Sequence, residues 1–325
     1  MEQQPSLTTQ ETGARPASVV SRTAIGVALV AALAGLLYAD QLDPQQWLPT
    51  WAEGLTGLHD LLEDGLLTML VVAVLTAAAL REYGLMRRGT GVELPCGFLM
   101  LCGVVLLLLE WVGLAYRYGA FLVCPAPLRN PGMSVLSVML FATLALLALR
   151  ALKGRIEGGV EAAGALTLGL VYVPVAFGFL AGVRVRWGVE GVVTALAVCK
   201  LTDIGAYYAG TLIGGPLLAP RLSPRKTWAG AVGGTAFAVL ASLVLSIVGL
   251  SGLRLPMAVL YGLLLGPVAV LGDLAESLLK RQAGVKDSGS LLHGYGGVLD
   301  MVDDVLFAAP FSYLFFALAL TGGQG

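Results

Sequence analysis

The sequence predicts an all-α polytopic membrane protein of about nine transmembrane helices with the N-terminus in the cytosol. Three observations predict it. Of the 325 residues, 57% are hydrophobic and 13% charged, against about 25% charged in an ordinary soluble domain. The apolar residues gather into runs of the roughly 17–25 residues that span a bilayer. Lys and Arg are distributed unevenly between alternate loops, as cytosolic loops retain positive charge.

In chain order, the expected spans are 22–39, 64–81, 96–116, 134–151, 160–182, 188–210, 229–250, 256–281 and 298–320. Residues 1–21 are polar, with no hydrophobic region or cleavage site, and read as a disordered cytosolic tail. The first run is then an uncleaved anchor. Residues 22–325 read as a single transmembrane domain, with N-terminal helices at 22–182 and a polar-featured part at 188–325. The sixth span is the weakest, because Lys200 and Asp203 interrupt it.

With the N-terminus inside, the tail and inner loops hold fourteen Lys and Arg and the outer loops five, Arg117, Arg129, Arg184, Arg186 and Arg254. The loop at 40–63 carries acids such as Asp40, Asp43, Glu53 and Asp60 and no Lys or Arg, as an outer loop should. A net charge of -1 argues against a nucleic-acid partner. The cysteines Cys96, Cys102, Cys124 and Cys199 lack metal-ligand spacing; the three in or near apolar runs read as small packing residues, and Cys124 lies in a loop.

The chemistry concentrates after Lys200, in "KLTDIGAYYAG" at 200–210, "LSPRKTWAGAVGG" at 222–234, and "GDLAESLLKR" at 272–281 running on to "KDSGSLLHGYGGVLDMVDD" at 286–304. Charge inside a membrane is costly, so acids there need partners or a function. Asp203, Asp273 and Asp300 come from three separate spans yet fall at a similar depth on the inner side. Asp273 lies about 10 Å along its helix from Lys280. Asp300, Asp303 and Asp304 share one helical face.

Oxygen ligands without a histidine cluster suit Mg2+ or Mn2+ rather than zinc. Lys226, Arg225, Lys280, Arg281 and Lys286 supply positive charge for phosphates, and the two sets together point to phosphoryl or nucleotidyl transfer at the membrane–cytosol boundary. Simpler readings stand beside this one. Juxtamembrane Lys and Arg commonly set topology or touch headgroups, Lys200 and Asp203 can be a structural pair, and Gly233 and Gly234 suit close helix packing. Glu110 is a further intramembrane acid with no assigned partner.

These segments resemble the phosphatidate cytidylyltransferases (CDP-diacylglycerol synthases). That family's C-terminal signature is matched in spacing by Ser277, Lys280, Arg281, Lys286, Asp287, Gly294, Gly296, Gly297, Asp300 and Asp303. "DIGAYYAG", "SPRKTWAG" and "GDLAES" resemble upstream family motifs, so the likeness covers residues 200–304. The chain departs at His293, Tyr295, Met301 and Asp304, where the family has Pro, His, Arg and Ser. It departs also at Ala229, where the family has Glu, and at Thr211 and 214–217, where basic residues are common.

The resemblance implies transfer of the cytidylyl group of CTP to phosphatidate, giving CDP-diacylglycerol and pyrophosphate, with Mg2+ and room for a second cation. It implies Asp273 and Asp300 as metal ligands, Asp303 on the same face, and Lys226 and Lys280 as phosphate contacts. Ser223, Arg225, Thr227, Arg281, Lys286, Asp287, Gly296 and Gly297 follow as substrate-binding positions. Lys200, Asp203 and Tyr207 follow as bracing ones. The expected setting is the inner (plasma) membrane, multi-pass, with the site facing the cytosol among membrane lipid; a homodimer fits the family. Alternatives left open are a CTP-dependent transferase or kinase on a polyisoprenoid, a homologue of impaired activity, and a carboxylate-lined cation transporter.

Overall fold

The computed structural model describes residues 65–117, 131–289 and 296–321. Its helices are α1 (Leu66–Gly89), α2 (Cys96–Arg117), α3 (Pro131–Leu152), α4 (Gly159–Leu170), α5 (Ala176–Ile213), α6 (Trp228–Ile247), α7 (Leu255–Gln282) and α8 (Leu299–Thr321). Among the described residues, seven helical stretches are long and apolar enough to cross a membrane. The protein is therefore a helical, polytopic membrane protein, and the expected spans from 64–81 onward all fall on these stretches. The tail, the first expected span at 22–39, and Cys124, His293, Gly294 and Tyr295 lie outside the described residues.

Two expected spans, 160–182 and 188–210, form one helical stretch, Gly159–Ile213. Pro174 lies within a π-helical turn, Val171–Val175, that joins α4 to α5. Proline lacks the N–H that would continue the α-ladder, and a wider turn accommodates it. The stretch then breaks at Trp187 and Gly188, where Gly188 takes φ 69°, ψ -166°. Contacts with α8 give the direction of the break. Tyr172 meets Phe307, Phe179 meets Tyr313, Trp187 meets Tyr313 and Phe316, and Lys200 reaches back to Met301. The chain thus climbs one side of α8 to Trp187 and descends again, and a 55-residue stretch makes two antiparallel arms.

Close helix approach is bought with small residues, the usual solution where lipid is as apolar as the side chains. A Cβ on Gly234 would sit 2.8 Å from Thr202 O, and one on Gly233 would sit 2.1 Å from Ala209 Cβ. These glycines press α6 against the descending arm of α5, as the "GG" pair suggests. Gly262 and Gly266 do the same between α7 and α6, with Cβ positions 2.5 Å from Val239 Cα and 2.8 Å from Thr235 Cα. Gly272 brings α7 against α8, where a Cβ would lie 2.9 Å from Asp303 O.

The structure adds one feature to the all-helical expectation. Leu217–Ala219 (β1) and Ser223–Thr227 (β2) pair antiparallel, with Leu217 opposite Thr227 and Ala219 opposite Ser223. Five residues of β2, "SPRKT", are too few and too polar for a half-buried strand pattern, so alternation gives no warning of it. The hairpin ends directly in α6, whose N-cap Thr227 accepts a hydrogen bond from Gly230 N at 3.1 Å.

Candidate functional site

The site forms where α7, α8, the descending arm of α5 and the β-hairpin meet. On α7, Asp273, Glu276 and Lys280 fall on one face through spacings of three and four. On α8, Asp300, Asp303 and Asp304 do likewise. Because Gly272 lets α7 close on α8, ligand oxygens of Asp273, Glu276 and Asp303 lie within 4.8 Å of one another. This is a cluster able to hold a metal ion. Glu276 is fully buried and Asp303 nearly so. One oxygen of Glu276, Oε2, is ion-paired with the Lys280 ammonium, and the other, Oε1, has no hydrogen-bond donor.

Lys280 sits between two acids, paired with Glu276 and 2.6 Å from Asp300 Oδ1. Asp300 is tied down further. Its Oδ2 accepts from Ser288 N at 2.8 Å, Ser288 Oγ at 2.9 Å and Gly297 N at 2.7 Å. Its carboxylate therefore anchors the segment before α8, where Gly296 takes φ +91° beside it. Of the two acids expected as metal ligands, Asp273 belongs to this trio, and Asp300 is bonded to Lys280 and the adjoining backbone.

Glu82 of α1 completes this anchor. Buried to 4% exposure, it accepts from Val298 N at 3.0 Å, Leu299 N at 2.9 Å and Ser288 Oγ at 3.1 Å. The first-turn N–H groups of α8 have no partners within their own helix, and a carboxylate also suits the positive end of the helix dipole. Sequence reasoning passes over Glu82, since an acid after Arg81 at a span end looks like ordinary solvated flanking charge. It passes over Glu276 too, although "GDLAES" contains it.

The expected brace gains a further acid. Lys200 Nζ lies 2.7 Å from Asp304 Oδ1 and 2.9 Å from Met301 O. Cys199 Sγ donates to Asp304 Oδ2 at 3.1 Å. Asp304, the extra acid of the motif, is thereby a buried partner for Lys200, and Asp203 interacts with both while also lining the neighbouring cleft.

That cleft has a volume of about 700 Å³. Its walls include Asp203, Tyr207, Ser223, Arg225, Lys226, Thr227 and Asp273, so seven expected positions converge there. Lys226 is ion-paired with Asp273 across it. Arg281 instead donates to Leu222 O at 3.2 Å and Val285 O at 3.3 Å, fastening the hairpin to the end of α7. Lys286 and Asp287 are exposed on the following turn, away from the cleft lining. Beyond Leu218, Ala231 and Val270, which both spaces share, the cleft continues into an apolar groove of about 650 Å³ between α6 and α7, lined by Trp228, Val232, Leu263 and Leu271. Glu110 lies apart from all of this, packed against Gly178.

Residues 49–319, most of the chain, match the model of the cytidylyltransferase family. The chain belongs to that family. A phosphatidate cytidylyltransferase of Bacillus subtilis (strain 168) is 34% identical over 257 residues, covering 77% of this chain and 88% of that protein. One from Brucella suis biovar 1 (strain 1330) is 49% identical over 134 residues, 41% of this chain. One from Helicobacter pylori (strain ATCC 700392 / 26695) is 43% identical over 144 residues, 44% of this chain and 53% of its own length. The match to the Brucella cytidylyltransferase spans about half of that relative's length, 48%.

Proposed function

We propose that this cytidylyltransferase-family protein transfers the cytidylyl group of CTP to phosphatidate, releasing pyrophosphate and forming CDP-diacylglycerol, at the cytosolic face of the inner membrane. The observation that carries the reading is the junction of three environments: a buried acidic trio, a cleft with Lys226 and Arg225 on its wall, and an apolar groove opening from that cleft. A lipid phosphate and a nucleotide triphosphate require all three. The relatives named phosphatidate cytidylyltransferase support the same substrates.

The donor set fits a divalent cation of the Mg2+ type. Asp273, Glu276 and Asp303 offer hard oxygens, and the buried Oε1 of Glu276 has no hydrogen-bond donor. When bound, such an ion supplies charge neutralisation and alignment for an in-line displacement at phosphorus. The chain's own residues do the remainder. Lys226 and Arg225 hold the triphosphate oxygens, and Ser223 and Thr227 offer hydroxyls to it. Lys280, Asp300, Ser288 and Glu82 keep the ends of α7 and α8 in register, so that the trio keeps its spacing. The phosphatidate oxygen attacks the α-phosphorus of CTP, forming the new P–O bond as the bond to pyrophosphate breaks. That oxygen is already anionic near neutral pH, so no strong base is needed. One acyl chain lies along the groove between α6 and α7.

Purified protein given Mg2+, CTP and phosphatidate should form CDP-diacylglycerol and pyrophosphate in equal amounts. Glu276→Gln, which preserves shape and removes a charge, should lower the rate at least about 100-fold, the order seen when a charge-stabilising group is removed. Absence of CDP-lipid across metals and acyl lengths would refute the reading. Product from a polyisoprenoid acceptor alone would reassign the lipid.

A further inference from the structure

We propose that Lys226 is a placeholder cation: it neutralises Asp273 until a divalent ion enters, and then turns to the nucleotide triphosphate. The inference rests on the metal-site reading above and adds how the site stays intact before it is loaded.

Three carboxylates in a largely buried corner repel one another and lose hydration, so they need positive charge even without a metal ion. Among the described residues two ammonium groups pair with this cluster, and they are held differently. Lys280 has two acidic partners, Glu276 and Asp300, and is 13% exposed. It is fixed between α7 and α8. Lys226 has Asp273 as its ion-pair partner, is 24% exposed, and stands on the hairpin at the cleft wall. It is the cation that can leave.

Leaving does not strand it. Lys226 and Asp273 both line the 700 Å³ cleft, so an ammonium released from Asp273 stays within the volume a triphosphate would fill. Lysine suits such a transfer, with one compact charge, three donors and a flexible stem. Asp273, at 33% exposed, is the member of the trio most open to an arriving ion. An ion that takes the Asp273 oxygen repels the ammonium, and the ammonium then meets the phosphates. Metal and CTP therefore assist one another through Lys226, and the coupling is reciprocal.

The inference predicts opposite signs for one substitution. Mn2+ binding to the detergent-purified full chain, followed by electron paramagnetic resonance without CTP, should be roughly 5-fold tighter in Lys226→Met than in wild type, because a competing charge is gone. Mn2+–CTP binding, measured without lipid, should be roughly 5-fold or more weaker in the same variant. Lys226→Arg should keep the wild-type metal affinity. Lys226→Gln serves as a second neutral variant, and circular dichroism with thermal melting verifies that each is folded. Equal or weaker Mn2+ affinity in the folded neutral variants, with Glu276→Gln still removing the site, overturns the placeholder role and leaves the metal site standing. Saturable Mn2+ binding that is absent in wild type, or unchanged by Glu276→Gln, overturns the site itself and this inference with it.

Discussion

Asp304 shows how one residue changes meaning once its surroundings are known. In sequence it is a third acid on a helical face, and it looks like added metal-binding capacity. In the structure it is 1% exposed and committed to Lys200, Cys199 and its own helix backbone at Val305 N. Met301 contributes its carbonyl to the same ammonium. A half-buried pair of this kind is strongly destabilised by losing one member, since the other is left as an uncompensated charge. Lys200→Met, which leaves the buried Asp304 uncompensated, should therefore cost about 3 kcal/mol, Asp304→Leu, which leaves a half-exposed ammonium, should cost less, and the double variant should cost less than the sum. Thermal melting in detergent measures the cycle; additive losses would show that the two side chains act independently. Glu82 makes the complementary point. Its three hydrogen bonds join α1 to Ser288 and to the start of α8 across more than two hundred residues of sequence, and no local pattern signals such partners.

At the scale of elements, the site depends on how closely helices approach and where they reverse. The acids on α7 meet those on α8 because Gly272 lies at the crossing. The descending arm of α5 meets α6 because Gly230, Gly233 and Gly234 face it. Gly234→Val should push these helices apart, since even its Cβ would overlap Thr202 O. The expected result is a loss of about 1–3 kcal/mol, read as a lower melting temperature, with weaker CTP binding from the widened cleft. Gly188 is needed for its backbone. Its φ of 69° with ψ -166° lies in a region that only glycine adopts readily, so Gly188→Ala should cost about 1–3 kcal/mol without touching the site. The hydropathy pattern locates both arms of this hairpin, because apolar length is a local property. It does not reveal that the helical backbone runs through Pro174 and bends at Trp187, because a π-turn and a sharp reversal are settled by packing against α8.

At the scale of the molecule, polar and apolar spaces join on one side of the helical bundle. Leu218, Ala231 and Val270 belong to both the cleft and the groove, which joins a polar space to an apolar one. Val232→Trp fills the groove from α6 without altering a charged group. It should raise KM for long-chain phosphatidate about 10-fold, and leave CTP binding and turnover of a short-chain analogue near wild type. An equal loss for both acyl lengths would move the acyl path elsewhere.

The sequence by itself determined that the chain is a helical membrane protein, and it pointed to the acids and bases concentrated after Lys200. These follow from composition, run length and residue spacing, which are local and additive. Only the tertiary structure decided where each acid goes: Asp273, Glu276 and Asp303 together, Asp300 with Lys280, Asp304 with Lys200, and Glu82 at the start of α8. Charges on separate helices are brought together by helix crossings a few ångströms close. Those crossings are fixed by small residues acting across the whole fold, and pairing at that distance cannot be read along a single chain.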